Sequence, residues 1–330
     1  MNETQFLEQY DKDIPIVRAW GNYINSEIRN ALLGKLENSP IKEVFLRIAP
    51  EPRIKDRESI IAKAFWRGKN YSDPYNEIKD KVGIRYVVLL TQHIKIIEEI
   101  ICSTDNWNYS LDRDFVQEKI DFPLIFDYQS VHYILTSKDT ITYDSIDIPT
   151  DTPCEIQIRT LLQHACSELT HDTIYKKDPT YNSIVYRSIA KSRALTESAD
   201  DIFENVSAIL AEESENMNKW LSELRNIYKE IREPDFEEKS NVFILNSIVT
   251  LLEGTNSADI KKFILEEKPV IKDIISSKVN ELFIYRQPIV LLLYYLIHHQ
   301  RENLKQSWPL PLSEIQPLFS DLGIALDPRN

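Results

Sequence analysis

The segment Cys154–Thr160, with the sequence C-E-I-Q-I-R-T, carries side chains that could perform chemistry. Successive side chains of a β-strand point to opposite faces, so Glu155, Gln157 and Arg159 would share one face and two isoleucines the other. A carboxylate, an amide and a guanidinium are poor core material. The pattern predicts a strand that forms the floor of a polar cleft, and a half-exposed strand with solvated side chains is the alternative.

A second candidate segment spans residues 80–85, with the sequence D-K-V-G-I-R, and runs into the apolar and aromatic residues 86–90. The β-branched and aromatic composition predicts a buried strand. Asp80 would then stand at the entry of that strand. Gly83 would allow another part of the chain to approach its backbone closely.

Two further segments add cations and an aromatic ring. Arg53 and Lys55 would project from one side of an extended segment, and Ser59 and Lys63 are spaced to lie one above the other on a predicted helix. Further along the chain, alternation in residues 127–133 would place Tyr128, Ser130 and His132 on one face. The combination offers cations for phosphates and a ring on which a base could stack.

This set of side chains favours phosphoryl-type transfer, in which catalysis consists mostly of positioning and charge neutralisation. Mg²⁺ in such sites takes one or two carboxylates together with substrate phosphates. Asp80 and Glu155 would therefore suffice to hold it. Each piece alone is common in proteins, so the argument depends on their occurring together.

The order and spacing of four motifs resemble the RelA/SpoT-type alarmone synthetase domain. The motifs are R-x-K-x-x-x-S-I-x-x-K from Arg53, D-x-x-G-I-R from Asp80, Y-Q-S-V-H from Tyr128 and E-I-Q-I-R-T-L-L-Q-H-A from Glu155. The match covers roughly residues 40–180. The resemblance implies an α+β fold with a mixed, nucleotidyltransferase-like sheet flanked by helices. It also implies transfer of the β,γ-pyrophosphate of ATP to the ribose 3′-hydroxyl of GDP or GTP, with Mg²⁺ as cofactor.

The resemblance also implies roles for individual residues. Asp80 and Glu155 would be the metal carboxylates, and Glu155 would also be the base for the 3′-hydroxyl. Arg53 and Arg85 would sandwich the adenine. The implied ATP-binding residues are Arg53, Lys55, Ser59, Lys63 and Arg85. The implied acceptor-binding residues are Tyr128, which would stack on the acceptor base, and the cleft-lining His132, Gln157 and Arg159.

The segment before the tyrosine departs from the family pattern. The family often has P-K-x-N-G-Y, whereas residues 123–128 read P-L-I-F-D-Y, with Leu124 in place of the lysine and Asp127 in place of the glycine. In the family that lysine is thought to help hold the 5′-phosphates of the acceptor. Arg113 or Lys119 could substitute for it. A toxin branch of the family shares this departure and is thought to modify the 3′-terminal adenosine of tRNA.

Three interpretations of the function therefore remain. The first is a single-function alarmone synthetase that uses a free guanine nucleotide. The second is a toxin of a toxin–antitoxin or phage-defence system that acts on the 3′ CCA end of tRNA and is restrained or triggered through its C-terminal part. The third is a non-catalytic nucleotide sensor. Both carboxylates and the ATP-side cations are present, which argues against the third.

Composition favours a cytoplasmic protein without a membrane anchor. The 330 residues are 42% hydrophobic, and the longest apolar run, residues 289–297, is far short of the roughly 20 residues of a membrane span. The N-terminus has no secretory signal pattern. Three cysteines without C-x-x-C spacing fit a reducing compartment. The net charge is −13, but residues 41–70 carry a local +4, which indicates either a polyanion site or the ATP site alone.

The pattern along the chain predicts two domains. Residues 1–232 would form the synthetase domain, with amphipathic helices at 16–38 and about 182–231 around the core. The first of these helices is far too short to be the hydrolase domain of bifunctional relatives. A charged, proline-bearing linker would follow, and residues 240–330 would form a mostly helical regulatory or partner-binding domain.

Overall fold

The computed structural model describes residues 1–37, 39, 41–68, 70–126, 130–170, 183–233 and 235–326. Its contacts divide the chain into two compact units, Met1–Val206 and Ser207–Asn330. This division falls within one long helix, α7 (Ser183–Lys229). The linker that the sequence suggests at residues 232–239 stays a prediction.

The first unit is built on a mixed five-stranded sheet. Its strands are β1 (Arg53–Ile54), β2 (Val82–Val88), β3 (Trp107–Arg113), β4 (Val131–Ser137) and β7 (Pro153–Thr160). Their order across the sheet is β1-β2-β7-β4-β3, with β2 and β7 parallel and every other pair antiparallel. A small hairpin of β5 (Ile141–Tyr143) and β6 (Ile146–Ile148) stands apart from it. The predicted α+β fold with a mixed sheet is confirmed.

Alternation along the central strands gives the sheet one apolar and one polar face. On the apolar face, Ile84, Tyr86, Ile156 and Ile158 are fully or almost fully buried. They share a core with residues of α1 (Glu3–Lys35) and α4 (Thr91–Ser103), including Trp20. Because the apolar face of the sheet packs against these helices, the polar face lies on the side of the sheet opposite to them.

The first helix is longer than the sequence pattern indicated. The prediction was residues 16–38, but α1 begins at Glu3 and ends at Lys35. A capping box explains the earlier start, because the Asn2 side chain accepts from the Gln5 backbone while the Gln5 side chain accepts from the Asn2 backbone. The N-terminal turns also bury Phe6 and Tyr10 against residues 60–78.

The helix predicted to carry Ser59 and Lys63 changes its winding between them. The α-helix α2 (Arg57–Ile61) ends before Lys63, which lies in a π-helical turn, Ala62–Trp66. Short π segments inside helices are frequent at functional sites. The remaining helices of this unit are α3 (Pro74–Glu77), α5 (Phe115–Asp121) and α6 (Leu161–Thr170).

The second unit is helical and has a core of its own. Its helices are α8 (Glu238–Ile248), α9 (Ser257–Lys262), α10 (Val270–Lys278), α11 (Ile289–Ser307) and α12 (Leu312–Asp321). The apolar run at the start of α11 is buried, as predicted for a core helix. The end of α7 belongs to the same core through Leu221, Leu224 and Tyr228. None of the described helices combines the length and apolar character needed to cross a bilayer.

Candidate active site

The polar face of the sheet collects three of the predicted side chains along β7. The Gln157 side chain donates from Nε2 to Glu155 Oε2 at 2.8 Å, and an Arg159 terminal nitrogen donates to Gln157 Oε1 at 2.5 Å. Arg159 is almost completely buried, with 1% exposure. These bonds fix the three side chains in a row, so the Glu155 carboxylate is held in place by its own strand.

Neighbouring strands complete the surroundings of Glu155. Gly83 on β2 lies directly opposite Glu155, and a Cβ at Gly83 would reach to 3.6 Å from Oε2, so this glycine leaves the carboxylate open. His132 on β4 places its Nδ1 3.4 Å from Glu155 Oε1. Burial raises the pKa of Glu155, but the hydrogen bond and charge of His132 together with the Gln157 hydrogen bond outweigh it, so the pKa lies below its usual value.

Asp80, at the entry of β2, is held by the two predicted lysines. Its Oδ2 lies 2.8 Å from Lys55 Nζ and 2.6 Å from Lys63 Nζ. The side chain is only 11% exposed. Burial raises the pKa of Asp80, but the two ammonium groups lower it by a larger amount. The pKa therefore lies below its usual value, and the carboxylate is ionised at neutral pH. The structure therefore brings three residues from two motifs into one charged cluster.

The predicted role of Asp80 and Glu155 as metal ligands stays a prediction, and two features of the pair bear on it. Asp80 Oδ1 is buried and lacks a hydrogen-bond partner among the described residues. The charge of Asp80 also raises the pKa of Glu155, so the two groups interact. No cluster of three or more histidine, cysteine or acidic ligands occurs in the described ranges. Two carboxylates fit Mg²⁺, a hard cation that takes its remaining ligands from water and substrate phosphates.

Two other predicted ATP-side residues lie around this cluster. Arg53 on β1 is exposed and lies opposite Gly83, which places it on the same face of the sheet as Glu155. Ser59 lies in the first turn of α2, where its backbone N–H donates to the capping Asp56 side chain at 2.8 Å. The predicted roles of Arg53 and Ser59 toward ATP stay predictions.

Arg85 shows a contact that the sequence did not reveal. One of its terminal nitrogens donates to Glu168 Oε1 on α6 at 2.6 Å, across 83 residues of sequence. His164, one turn earlier on α6, places its Nδ1 3.8 Å from the same carboxylate oxygen. Glu168 therefore fixes the orientation of Arg85 on the polar face. The motif spacing could have suggested α6 as a neighbour, but not which of its residues reaches Arg85.

The acceptor side is described in part. Tyr128 lies outside the described residues, so its predicted stacking role stays a prediction. Ahead of it, Leu124 is 92% exposed. The two cations that could replace the missing lysine are engaged: Arg113 binds Glu118 through two nitrogens at 2.7 and 2.9 Å, and Lys119 lies 3.3 Å from a carboxylate of α7.

Comparisons with known proteins agree with this architecture. The family model described as a region found in RelA / SpoT proteins matches residues 52–180. The small alarmone synthetase 1 of Bacillus subtilis superposes with a TM-score of 0.51 at 17% identity, over 62% of this chain and 99% of that chain. A GTP pyrophosphokinase family protein from Streptococcus pneumoniae gives 0.51 at 17% identity, over 62% of this chain and 96% of its own.

The Bacillus subtilis enzyme bound to its product pppGpp superposes with a TM-score of 0.50 at 18% identity, over 62% of this chain and 99% of that one. At such identities the likeness shows the fold alone. No curated protein matches the chain. The matched motifs and the shared fold together show that residues 52–180 form a RelA/SpoT-type synthetase domain.

Proposed function

We propose that this protein is an ATP-dependent pyrophosphokinase that transfers the β,γ-pyrophosphate of ATP to the ribose 3′-hydroxyl of a guanine nucleotide. The observation that carries the proposal is the cluster of Asp80, Lys55 and Lys63 beside Glu155 on the polar face of a RelA/SpoT-type sheet. Two similar structures support it: one belongs to a GTP pyrophosphokinase family protein, and the other holds the guanosine product pppGpp.

In the proposed reaction, the acceptor 3′-oxygen attacks the β-phosphorus of ATP. The bond from that phosphorus to the α,β-bridging oxygen breaks, AMP leaves, and the proton of the 3′-hydroxyl passes to a base. Glu155 can take this proton because its carboxylate is ionised and open on the Gly83 side. Each lysine ammonium has three donors, so Lys55 and Lys63 can hold Asp80 and still donate to phosphate oxygens.

Asp80 and Glu155 would hold Mg²⁺. When bound, the ion neutralises charge on the phosphates and aligns their oxygens. The protein supplies the complementary part of the site. Its buried carboxylates are ionised, its lysines lie on the ATP side, and the hydrogen-bonded row along β7 keeps Glu155 in position. Positioning and electrostatic stabilisation of this kind account for most of the catalysis in phosphoryl transfer.

A second candidate acceptor is the 3′ end of tRNA. It is favoured by the paired state of Arg113 and Lys119 and by the exposed Leu124, because a free GDP or GTP brings 5′-phosphates that need cations. The terminal ribose of tRNA brings no free 5′-polyphosphate. In this version the protein is a toxin that blocks translation. Both acceptors and ATP are found in the cytoplasm, where we place the reaction.

The proposed role of the helical C-terminal part is to regulate the synthetase or to bind a partner protein. Support comes from its separate hydrophobic core, which includes the buried residues of α11. A segment with its own core can respond to a partner without rearranging the sheet that carries the site.

The acceptor can be identified by label transfer. The protein is incubated with Mg²⁺ and ATP labelled at the γ-phosphate, together with GDP, GTP or deacylated tRNA in separate reactions. Label in GDP or GTP supports the first candidate, and label in tRNA supports the second. Periodate-oxidised tRNA, which lacks the 3′-hydroxyl, is the matched control. Binding of ATP without label in any acceptor would favour the non-catalytic sensor.

A further inference from the structure

The N-terminal helix contacts the ATP side of the site through one buried hydroxyl. The Tyr10 hydroxyl donates to the carbonyl oxygen of Lys55 at 2.6 Å, and it lies 3.4 Å from the carbonyl oxygen of Lys81. The Lys55 backbone N–H donates to that same Lys81 carbonyl at 3.0 Å. Tyr10 thus connects the backbone of the segment that carries Lys55 with the backbone of the segment that carries Asp80. We call these three hydrogen bonds the junction.

This junction lies directly behind the charged cluster. Lys55 is part of the junction, and Asp80 directly precedes Lys81, whose carbonyl oxygen is also part of it. Lys55 Nζ lies 2.8 Å from Asp80 Oδ2. A shift of either backbone would therefore change that distance. In phosphoryl transfer, where catalysis depends on positioning, an error of about 1 Å can lower the rate by about 10²-fold.

Tyr10 itself is fixed and remains a donor. Its side chain is 1% exposed and packs in a small core with Phe6, Tyr75 and Ile78. Burial, followed by the charges of nearby aspartates, raises the pKa of Tyr10 to about 12. The phenol therefore keeps its proton throughout the pH range of an enzyme assay.

The same helix, α1, packs against the segment that leads to β1. A Cβ on Gly21 would come within 2.8 Å of Pro52 Cβ, so the helix and the chain just before Arg53 are in closest contact there. The Asn25 side chain donates to the carbonyl oxygen of Pro50 at 2.8 Å. The helix thus packs along the ATP-side segment, although it lies outside the residues 52–180 that match the family model.

We propose that Tyr10 is a positioning residue for the ATP side of the site: its hydroxyl sets the spacing between the Lys55 and Asp80 segments and so supports binding and reaction of Mg²⁺-ATP. The proposal rests on the proposed function. It predicts an effect specific to ATP and Mg²⁺, because Tyr10 contacts the backbone behind the lysine–aspartate cluster and not the strands β4 and β7 that carry the acceptor residues.

The test compares Tyr10→Phe with Tyr228→Phe in the full-length protein. Tyr228 is a matched control: its buried hydroxyl also donates to a backbone carbonyl, that of Tyr285, at 2.6 Å, but it does so in the core of the second unit. For both variants and the unaltered protein, the measurements are the melting temperature, the affinity for the Mg²⁺ complex of a non-hydrolysable ATP analogue, and KM and kcat for ATP and acceptor separately.

We expect Tyr10→Phe to lower kcat/KM for ATP by about 10- to 100-fold. The concentration of Mg²⁺ needed for half-maximal rate should rise, and the KM for the acceptor should stay unchanged. Tyr228→Phe should have a melting temperature similar to that of Tyr10→Phe, but its kinetic values should equal those of the unaltered protein. Unchanged ATP parameters in Tyr10→Phe, or equal losses in both variants, would overturn the proposal.

Two further arms keep the outcome decisive. If Tyr10→Phe does not fold, Gly21→Ala replaces it, since the added Cβ displaces Pro52 and should give the same ATP-specific loss. If the unaltered protein transfers no pyrophosphate, the proposed function fails, and analogue binding still tests Tyr10. Affinity equal to that of the unaltered protein would then reject the positioning role by itself.

Discussion

The imidazole of His132 and the carboxylate of Glu155 face each other across two adjacent strands, with Nδ1 3.4 Å from Oε1. Burial and the nearby charge of Asp80 raise the pKa of Glu155, and the His132 contact together with the Gln157 hydrogen bond outweighs them, so the buried carboxylate has a lowered pKa. A carboxylate with a lowered pKa is a good cation ligand. As a general base it is weaker than one whose pKa lies near the working pH, so its catalytic use depends on accurate placement.

Removing the imidazole should shift the pH dependence of transfer. In the unaltered protein, Glu155 loses its charge only when the pH falls below its usual pKa range. In His132→Asn, only the Gln157 hydrogen bond would still oppose burial and the charge of Asp80, so the pKa of Glu155 should rise and activity should begin to fall at a higher pH on the acidic side. The pH profile of kcat/KM measures this shift. His299→Asn in the second unit is the control, and an unmoved acidic limb would reject the link between His132 and Glu155.

The two carboxylates should both be essential. We expect Asp80→Asn and Glu155→Gln each to reduce transfer by at least about 10²–10³, the scale of losing one key electrostatic contact to the transition state. Each change keeps the size of the side chain, so circular dichroism and melting temperature should remain close to those of the unaltered protein. Glu99→Gln, an exposed acid paired with Lys35, is the control. Near-normal turnover in either site variant would rule out the two-carboxylate Mg²⁺ site.

Tyr128 can be tested although it lies outside the described residues. If its ring stacks on the acceptor base, Tyr128→Ala should raise the KM for the acceptor, because stacking on a base contributes about 1–3 kcal/mol. The affinity for ATP should change little. Tyr109→Ala, at a half-exposed position on β3, serves as the comparison. A loss of ATP affinity with unchanged acceptor use would mean that the two pockets are reversed.

Much of the site follows from local sequence, and the rest depends on contacts between distant segments. The period of two along β7 is enough to place Glu155, Gln157 and Arg159 on one face. The bond between Lys63 and Asp80 joins residues 17 apart, and the motif order indicated only that both belong to one site, not that they contact each other. The contact of Tyr10 with Lys55 spans 45 residues, and no spacing rule indicates it.

Two local features also escaped the sequence pattern. Nothing in the residue types of the π-helical turn Ala62–Trp66, which carries Lys63, distinguishes it from a turn of α-helix. The sequence therefore could not reveal the change of winding. The earlier start of α1 is marked by a capping box at Asn2 and Gln5 and by the four-residue spacing of Phe6, Tyr10 and Ile14, but Pro15 inside the helix favours a boundary when only the sequence is considered.

The C-terminal part offers a prediction about stability and regulation. A fragment ending at Arg232 would retain Leu221, Leu224 and Tyr228 without the core that buries them, and we expect it to aggregate. A fragment ending at Val206 should remain soluble and bind ATP. If the C-terminal part restrains the synthetase, that shorter fragment should also show higher transfer activity or toxicity. Light scattering and turnover relative to the full-length protein check both points, and identical kinetics would reject a restraining role.

The most direct test of the account is the chemical identity of the product formed from ATP. With an acceptor that becomes labelled, pyrophosphate transfer predicts one AMP for each labelled acceptor molecule, and it predicts that Glu155→Gln loses both products together. Chromatographic separation of AMP, ADP and labelled acceptor over time provides the measurement. Formation of ADP in place of AMP, or AMP without matching acceptor label, would contradict a pyrophosphokinase built on Asp80 and Glu155.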